Sequence, residues 1–353
     1  MDYKKIIQSI IDAVIKENGS DIHLSKNQHP VIRVHGELHS LEALPLLKSE
    51  DIIGIITYLL TPEYKEEFLR EKEIDFSFET AEARFRGSCF YAQKSIGVSL
   101  RLIPKKISTL EELNLPPVLE VFTQKQQGFF LVVGPMGHGK TTTLAAMIEM
   151  INQTRSEHIM TIEDPVEYIF QKGLSMIDQR EIKIDTKDFP TALKSVFRQD
   201  ADVLMIGEMR GLETISTSVT AAETGHLVFS TLHTNNAAQT MDRIIDVFPP
   251  QQQNQIKIQL AASLLGIFSQ RLIPRILGGM IPAYELLINN NAVSNLIREG
   301  RTFEINNVIE TSSNEGMISL NKSLEDLVRM GEITLEDAKK YSYRTKELGR
   351  NFN

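Results

Sequence analysis

The sequence predicts an α/β protein: a parallel sheet covered by helices, preceded by a small α+β domain and followed by a helical region. Three observations carry this. Between about 118 and 275, short apolar runs alternate with helix-length segments, the pattern of a parallel sheet covered on both faces. A glycine-rich loop lies between one such run and a helix. Before about 103, short alternating stretches follow one amphipathic helix.

At 353 residues the chain has length for two domains of the usual ~150 residues. With 42% hydrophobic and 24% charged residues it can bury real cores and carries no disorder signature. In the expected first domain, 1–103, Ile6, Ile7, Ile10, Ile11 and Val14 share a helix face. Val31–His35 alternates like a strand before a turn at Gly36, and Asp75–Glu79, Ala83–Tyr91 and Gly97–Ile103 read as further strands. Pro104, Pro116 and Pro117 bracket a polar connector, 104–117, expected as a linker. The second domain, 118–275, has expected strands at Phe129–Val133, His158–Glu163, Val203–Gly207 and Leu227–Thr231. The remainder, 276–353, reads as helical beyond Pro282. Leu320, Leu324, Leu327 and Val328 share a face, Gly331 suits a helix end, and Thr334 suits the start of the next helix.

A formal net charge of −8 argues against a general nucleic-acid binder, which needs a basic footprint, so no nucleic-acid partner is expected. The single cysteine, Cys89, excludes a disulfide within the chain and any Cys-based zinc site, and is expected as a core residue. Asp2, Lys4, Lys5 and Asp12 interrupt the N-terminal isoleucines, so no signal peptide is expected there. The longest apolar runs, Ile52–Leu60 and Leu260–Phe268, fall short of the ~20 residues of a membrane span. A cytoplasmic or peripheral location is expected.

The strongest motif is Gly134-Pro135-Met136-Gly137-His138-Gly139-Lys140-Thr141, which fits G-x-x-x-x-G-K-[ST] between an apolar strand and a helix. Its glycines let backbone N–H groups converge on phosphate oxygens. Lys140 supplies a positive charge, Thr141 a hydroxyl for Mg²⁺, and the helix N-terminus its dipole. Thr142 extends the same turn. These features point to ATP with Mg²⁺. His138 is unusual in such a loop; its backbone N–H serves as well as any other, and its side chain is expected as a tolerated surface group.

Three further motifs are weaker alone and gain meaning beside the loop. Val203–Gly207 is an apolar strand delivering Glu208, a carboxylate placed to hold the Mg²⁺ shell or to polarise water. Thr161-Ile162-Glu163-Asp164-Pro165 ends a strand where ligands of open α/β sheets bind, so Glu163 could align or deprotonate an attacking water. His226 and His233 flank the expected strand Leu227–Thr231. About 23 Å of extended chain separates them, which excludes one shared metal ion and leaves phosphate sensing or a relay to a neighbouring subunit. In the first domain, Arg84 and Arg86 share a strand face and Arg101 shares another with Ser99. Arginines displayed in this way could reach a neighbour's phosphates, but exposed sheet arginines are usually solvated or salt-bridged, and pattern alone favours the latter reading.

Taken together, the four blocks resemble the secretion ATPase family of pilus and secretion motors, where they are termed the Walker A, Asp-box, Walker B and His-box motifs. Gly19–Ser25 with Ile32–Gly36, Thr231–Thr234 with Asp242–Pro249, and Ala292–Glu299 are similar to stretches of its pilus-retraction branch. The resemblance implies a PAS-like first domain, a RecA-like second domain and a homo-hexameric ring. It implies ATP between the two domains of a subunit, with Arg86 and Arg101 completing the site. Glu163 would activate water and Glu208 would act with Mg²⁺. It also implies docking under the inner-membrane platform protein at the pilus base, and a paralogous retraction ATPase as a further partner. Assembly and type II secretion members carry an extra N-terminal domain and a four-cysteine zinc insert; with 353 residues and one cysteine neither is expected here, which favours retraction. Met136, His138, Gly211 and Ser294 depart from the family's usual residues. The readings left open are a retraction motor, an accessory and weakly active paralogue, and a RecA-like DNA translocase.

Overall fold

The computed structural model describes residues 2–34, 36–81, 83–103, 106–343 and 345–348. His35, which closes one expected strand, Pro104, which opens the expected linker, and 349–353 of the expected helical region lie outside the described residues. The chain divides into two compact units, Met1–Lys106 with Pro165–Ile169, and Ile107–Asp164 with Phe170–Asn353.

The first unit opens with helix α1 (Tyr3–Lys16), started by Asp2, whose side chain accepts the Lys5 N–H at 3.3 Å. Strands β1 (Asp21–Leu24), β2 (Val31–Val34) and β3 (Glu37–Ser40) follow, then helices α2 (Ser49–Leu59) and α3 (Pro62–Glu71). Strands β4 (Glu73–Glu79), β5 (Arg84–Ala92) and β6 (Ser95–Ile103) complete a six-stranded antiparallel sheet ordered β3-β2-β1-β6-β5-β4. Its core joins Ile7, Ile10, Ile11 and Val14 of α1 to Ile52, Ile55 and Ile56 of α2 and to Phe76 and Phe85 of the sheet. Cys89 is buried there, and burial pushes its thiol up to about 12, so it packs as a small apolar group.

In the second unit, α4 (Leu119–Thr123) leads to strand β7 (Gly128–Val133) and helix α5 (Lys140–Thr154). Strands β8 (His158–Glu163) and β9 (Met176–Glu181), helix α6 (Phe189–Val196), strand β10 (Val203–Ile206), helix α7 (Leu212–Glu223) and strand β11 (Leu227–Leu232) follow. Helices α8 (Ala237–Asp246) and α9 (Pro250–Ser263) precede strands β12 (Leu264–Pro274) and β13 (Met280–Ile288). Helices α10 (Asn291–Glu299), α11 (Ile305–Thr311), α12 (Leu320–Arg329), α13 (Leu335–Tyr341) and α14 (Thr345–Leu348) close the chain. The sheet order is β13-β12-β7-β11-β10-β8-β9, with β13 antiparallel to β12 and the other pairs parallel.

All residues of β7, β10 and β11 are buried, because helices cover both sheet faces. Along β7, Phe129, Leu131 and Val133 enter one core while Phe130 and Val132 enter another, the period-two consequence of the pleat. The four expected strands of the sheet are all present. Two expectations need correction. Leu110 and Leu115 of the expected linker are buried in the second unit's core, so that segment packs as part of the unit. The expected helical remainder instead begins with β13, which pairs with β12. A short, mostly apolar run such as Met280–Ile288 does not by its period tell a buried strand from a buried helix segment. Among the described residues no helix is long and apolar enough to cross a membrane.

Helix α10 shows how the C-terminal part is fastened. Asn290 caps it by accepting the Val293 N–H at 3.0 Å, and Val293 and Ile297 are buried. Ser294 Oγ lies 3.0 Å from both the Ala261 carbonyl of α9 and Asn289 Oδ1. Arg298 faces solvent. Asn290→Ala should therefore cost about 1 kcal/mol, a few degrees in Tm, while Arg298→Ala should stay within about 0.5 kcal/mol. Equal melting temperatures for wild type and Asn290→Ala would show that the cap contributes nothing.

Candidate functional site

In the parallel part of the sheet, the C-terminal ends of β7, β11, β10 and β8 lie along one edge, where open α/β sheets bind ligands. The loop after β7 is built on two glycines. Gly134 has φ +145°, and a Cβ there would sit 2.4 Å from the Gln270 carbonyl oxygen of β12, so only glycine fits. Gly139, at φ +79°, precedes α5, whose first residue is Lys140.

Lys140 turns back into the loop and is 7% exposed. Its Nζ donates to the carbonyls of Gly134 (2.9 Å) and Pro135 (2.8 Å) and lies 3.2 Å from His233 Nδ1. A planar trans peptide that turns the Pro135 carbonyl inward turns the Met136 N–H outward. The loop thus turns the Gly134 and Pro135 carbonyls inward and the Met136 N–H outward. Together with the N–H groups and dipole at the start of the 15-residue α5, this is an anion site. Thr141 and Thr142 are half-buried in the first turn.

His233 follows β11 and bridges to the next strand end. Lys140 is a pure donor, so His233 Nδ1 accepts and the ring proton sits on Nε2. That nitrogen faces Glu208 Oε2 at 3.7 Å, while Arg210 Nε holds Glu208 Oε1 at 2.8 Å. Burial and then the Lys140 ammonium lower the His233 pKa. Glu208 opposes this and Arg210 adds to it. At pH 7 the ring is neutral. Lys140, His233, Glu208 and Arg210 thus form one chain of alternating donors and acceptors across three strand ends.

Glu163 ends β8 and is 3% exposed. Its Oε1 accepts from Thr161 Oγ1 at 2.6 Å and from Gln179 Nε2 at 3.3 Å. Gln179 Oε1 in turn accepts the Phe170 N–H at 3.1 Å, so a neighbouring strand fixes the carboxylate's orientation. Gly207 N–H donates to the Ile162 carbonyl at 2.8 Å, which locks the β10 end, and with it Glu208, against the β8 end.

The structure does not bring His226 to this group. It precedes β11, where its carbonyl accepts the Gly128 N–H at 3.0 Å and its Nδ1 lies 3.1 Å from the Ala221 carbonyl. The strand crosses the whole sheet, leaving His226 about 20 Å of extended chain from the phosphate-loop edge. His138 is also corrected. Far from a tolerated surface group, its Nδ1 accepts the Leu272 N–H at 2.9 Å and its carbonyl accepts Gln270 Nε2 at 2.9 Å. Burial first, then Arg271 and Lys140, keep its pKa below the usual value. Sequence reasoning missed Gln270 and Leu272, which lie more than 130 residues away and carry no local signal.

In the first unit, Arg86 and Arg101 are directly opposed on β5 and β6. Arg86 Nη1 pairs with Glu167 at 3.0 Å and Arg101 Nε with Asp21 at 2.9 Å. Arg84 donates to the Val166 carbonyl at 2.9 Å. These arginines are engaged by local acceptors, as exposed sheet arginines commonly are.

The donor set bears on a metal. Among the described residues no three His, Cys, Asp or Glu side chains form a cage. One hydroxyl (Thr141) and one carboxylate (Glu208) near an anion site suit Mg²⁺, which keeps waters and takes few protein ligands beside phosphate.

The family model described as Type II/IV secretion system protein matches residues 2–339. The chain belongs to this family. It is 42% identical over 325 residues to the type IV pilus retraction ATPase PilT of Pseudomonas aeruginosa, covering 92% of this chain and 94% of that protein. It is 42% identical over 321 residues to a twitching motility protein of Neisseria gonorrhoeae, covering 90% and 86%. The crystal structure of the pilus retraction motor PilT with bound ADP matches with TM-score 0.89 and 43% identity, over 97% of this chain and 98% of that one. The family fold is an N-terminal domain, a RecA-like core and a helical C-terminal region, and this chain has it.

The His138 latch has a pH signature. Its folded pKa lies below the unfolded value near 6.5, so its contribution is fully present above that value and is lost as pH falls through it. His138→Asn keeps an acceptor without titrating. The wild type should lose Tm relative to this variant between pH 7.5 and 5.5. A constant difference, or one of opposite sign, contradicts the latch.

Proposed function

We propose that this chain is an ATP-hydrolysing motor subunit that drives retraction of type IV pili. One observation carries the reading: Lys140 is buried and tied to His233 and Glu208 at the phosphate-loop edge, in a chain 42% identical to a retraction ATPase. Phosphoryl transfer needs little covalent chemistry from the protein; positioning and electrostatics supply most of the catalysis. Lys140 would exchange the Gly134 and Pro135 carbonyls for β/γ-phosphate oxygens. The backbone N–H groups of 136–142 would hold the remaining oxygens. Thr141 and Glu208 would hold Mg²⁺, which when bound neutralises phosphate charge. Glu163 would orient the attacking water and take its proton as the new O–P bond forms and the bond from the γ-phosphorus to the bridging oxygen breaks. His233, linked to Lys140, is suited to sense the γ-phosphate.

Arg86 or Arg101 is proposed as the arginine finger, supplied by the same or a neighbouring copy. Either would give up its carboxylate, Glu167 or Asp21, for phosphate. A finger from a neighbour makes a ring the working form, and a homo-hexamer docked on the platform protein at the inner membrane is the proposed assembly. The capped, solvent-facing α10 is proposed to carry nucleotide-driven motion to that machine.

Phosphate release and nucleotide binding test this together. Lys140→Ala should lose both. Glu163→Gln and Glu208→Gln should still bind ADP while turnover falls by roughly 10²-fold or more. The wild-type chain, but not Glu163→Gln, should restore twitching to cells lacking their retraction motor. Normal turnover in folded Lys140→Ala would remove the ATPase reading. An active wild type that restores no movement would remove retraction alone.

A further inference from the structure

Strand β12 lies beside the phosphate-loop strand, and its side chains alternate between two loops. On one face, Ser269 Oγ donates to the Asn235 carbonyl at 2.7 Å and Arg271 Nη2 to Asn235 Oδ1 at 2.8 Å, which fixes the loop following His233. On the other face Gln270 meets the phosphate loop. It is 3% exposed, and its carboxamide spans two elements. Nε2 donates to the His138 carbonyl at 2.9 Å, and Oε1 accepts from Thr143 Oγ1 at 2.6 Å. Its own carbonyl fills the space that a Cβ at Gly134 would need. One residue therefore touches the start of the loop, its middle and the first turn of α5.

From this geometry we infer that Gln270 is a positioning residue for nucleotide: it holds the 134–140 loop in its phosphate-binding form and sets the chain's nucleotide affinity. The argument is one of preorganisation. A loop that must aim several N–H groups at one anion loses affinity when it is free to relax, because ordering it is then charged against binding. Glutamine is suited to the place because it offers a donor and an acceptor at one planar end. Glutamate would set an acceptor against the His138 carbonyl. Leucine would leave that carbonyl and the fully buried Thr143 hydroxyl without this partner. The inference rests on the proposed nucleotide site and adds to it a residue outside every nucleotide motif.

The test is titration of the full chain with a fluorescent ADP analogue, beside steady-state ATPase kinetics and melting without nucleotide. Gln270→Leu should weaken ADP binding about tenfold and raise the KM for ATP in step, with kcat falling much less. Thr143→Val should act in the same direction. The double variant should lose less than the product of the two single losses, because both remove one shared contact. Should Gln270→Leu fail to fold, Gln270→Glu keeps the volume and one acceptor and should show the same split. Wild-type affinity in a folded Gln270 variant overturns the proposal. So do losses that multiply independently and track a fall in nucleotide-free Tm, since they mark general destabilisation. If wild type itself binds no ADP, or binds no better than Lys140→Ala, the nucleotide site fails and the proposal with it.

Discussion

A buried ammonium must be surrounded by acceptors, and the phosphate-loop edge of this protein is arranged around that demand. Lys140 draws the Gly134 and Pro135 carbonyls inward. That choice turns the Met136 N–H outward and fixes the tautomer of His233, whose remaining proton faces Glu208. Groups that are far apart in sequence become one electrostatic unit. Removing the charge would leave inward carbonyls without their donor and free the histidine to change tautomer.

The loop cannot hold this form alone, because glycines that permit it also permit others. The neighbouring strand supplies the constraint. Gln270 and the Leu272 N–H grip the loop at His138, Gln270 also ties it to Thr143 of α5, and the Gln270 carbonyl leaves room only for glycine at 134. A one-residue slip of β12 would exchange its two faces, sending Arg271 toward the phosphate loop and Gln270 toward Asn235. Sheet register is therefore part of the site. On the acidic side, Glu163 is fixed by Thr161 and Gln179, so its carboxylate, like Lys140, is positioned before any ligand arrives.

What the sequence made legible was local. The phosphate loop shows because its glycines, lysine and threonine are consecutive, and β7, β8, β10 and β11 show as short apolar runs between helices. Glu163 and Glu208 follow from those strands, since a residue ending a parallel strand lands at the ligand edge. Long-range pairings were not legible. His138 read as a surface group because its acceptor role depends on Leu272. His226 looked equivalent to His233 because both flank one strand, yet strand direction sends them to opposite sheet edges. The β12–β13 pair hid because its mixed apolar and polar residues show no clear period, and Leu110 and Leu115 looked like linker because Leu110, Leu113 and Leu115, spaced three and two apart among charges, fit neither a helix nor a strand period.

Histidine-selective NMR on the full chain, wild type and Lys140→Met, tests the central claim most directly; eight histidines keep the spectrum sparse. The account predicts that His233 in wild type carries its proton on Nε2 and titrates below about 6.5. Removing the Lys140 charge should raise that value, because the nearest cation acting on the ring is gone. A His233 protonated on Nδ1, or one whose titration does not move in Lys140→Met, would contradict the coupling on which the site is built.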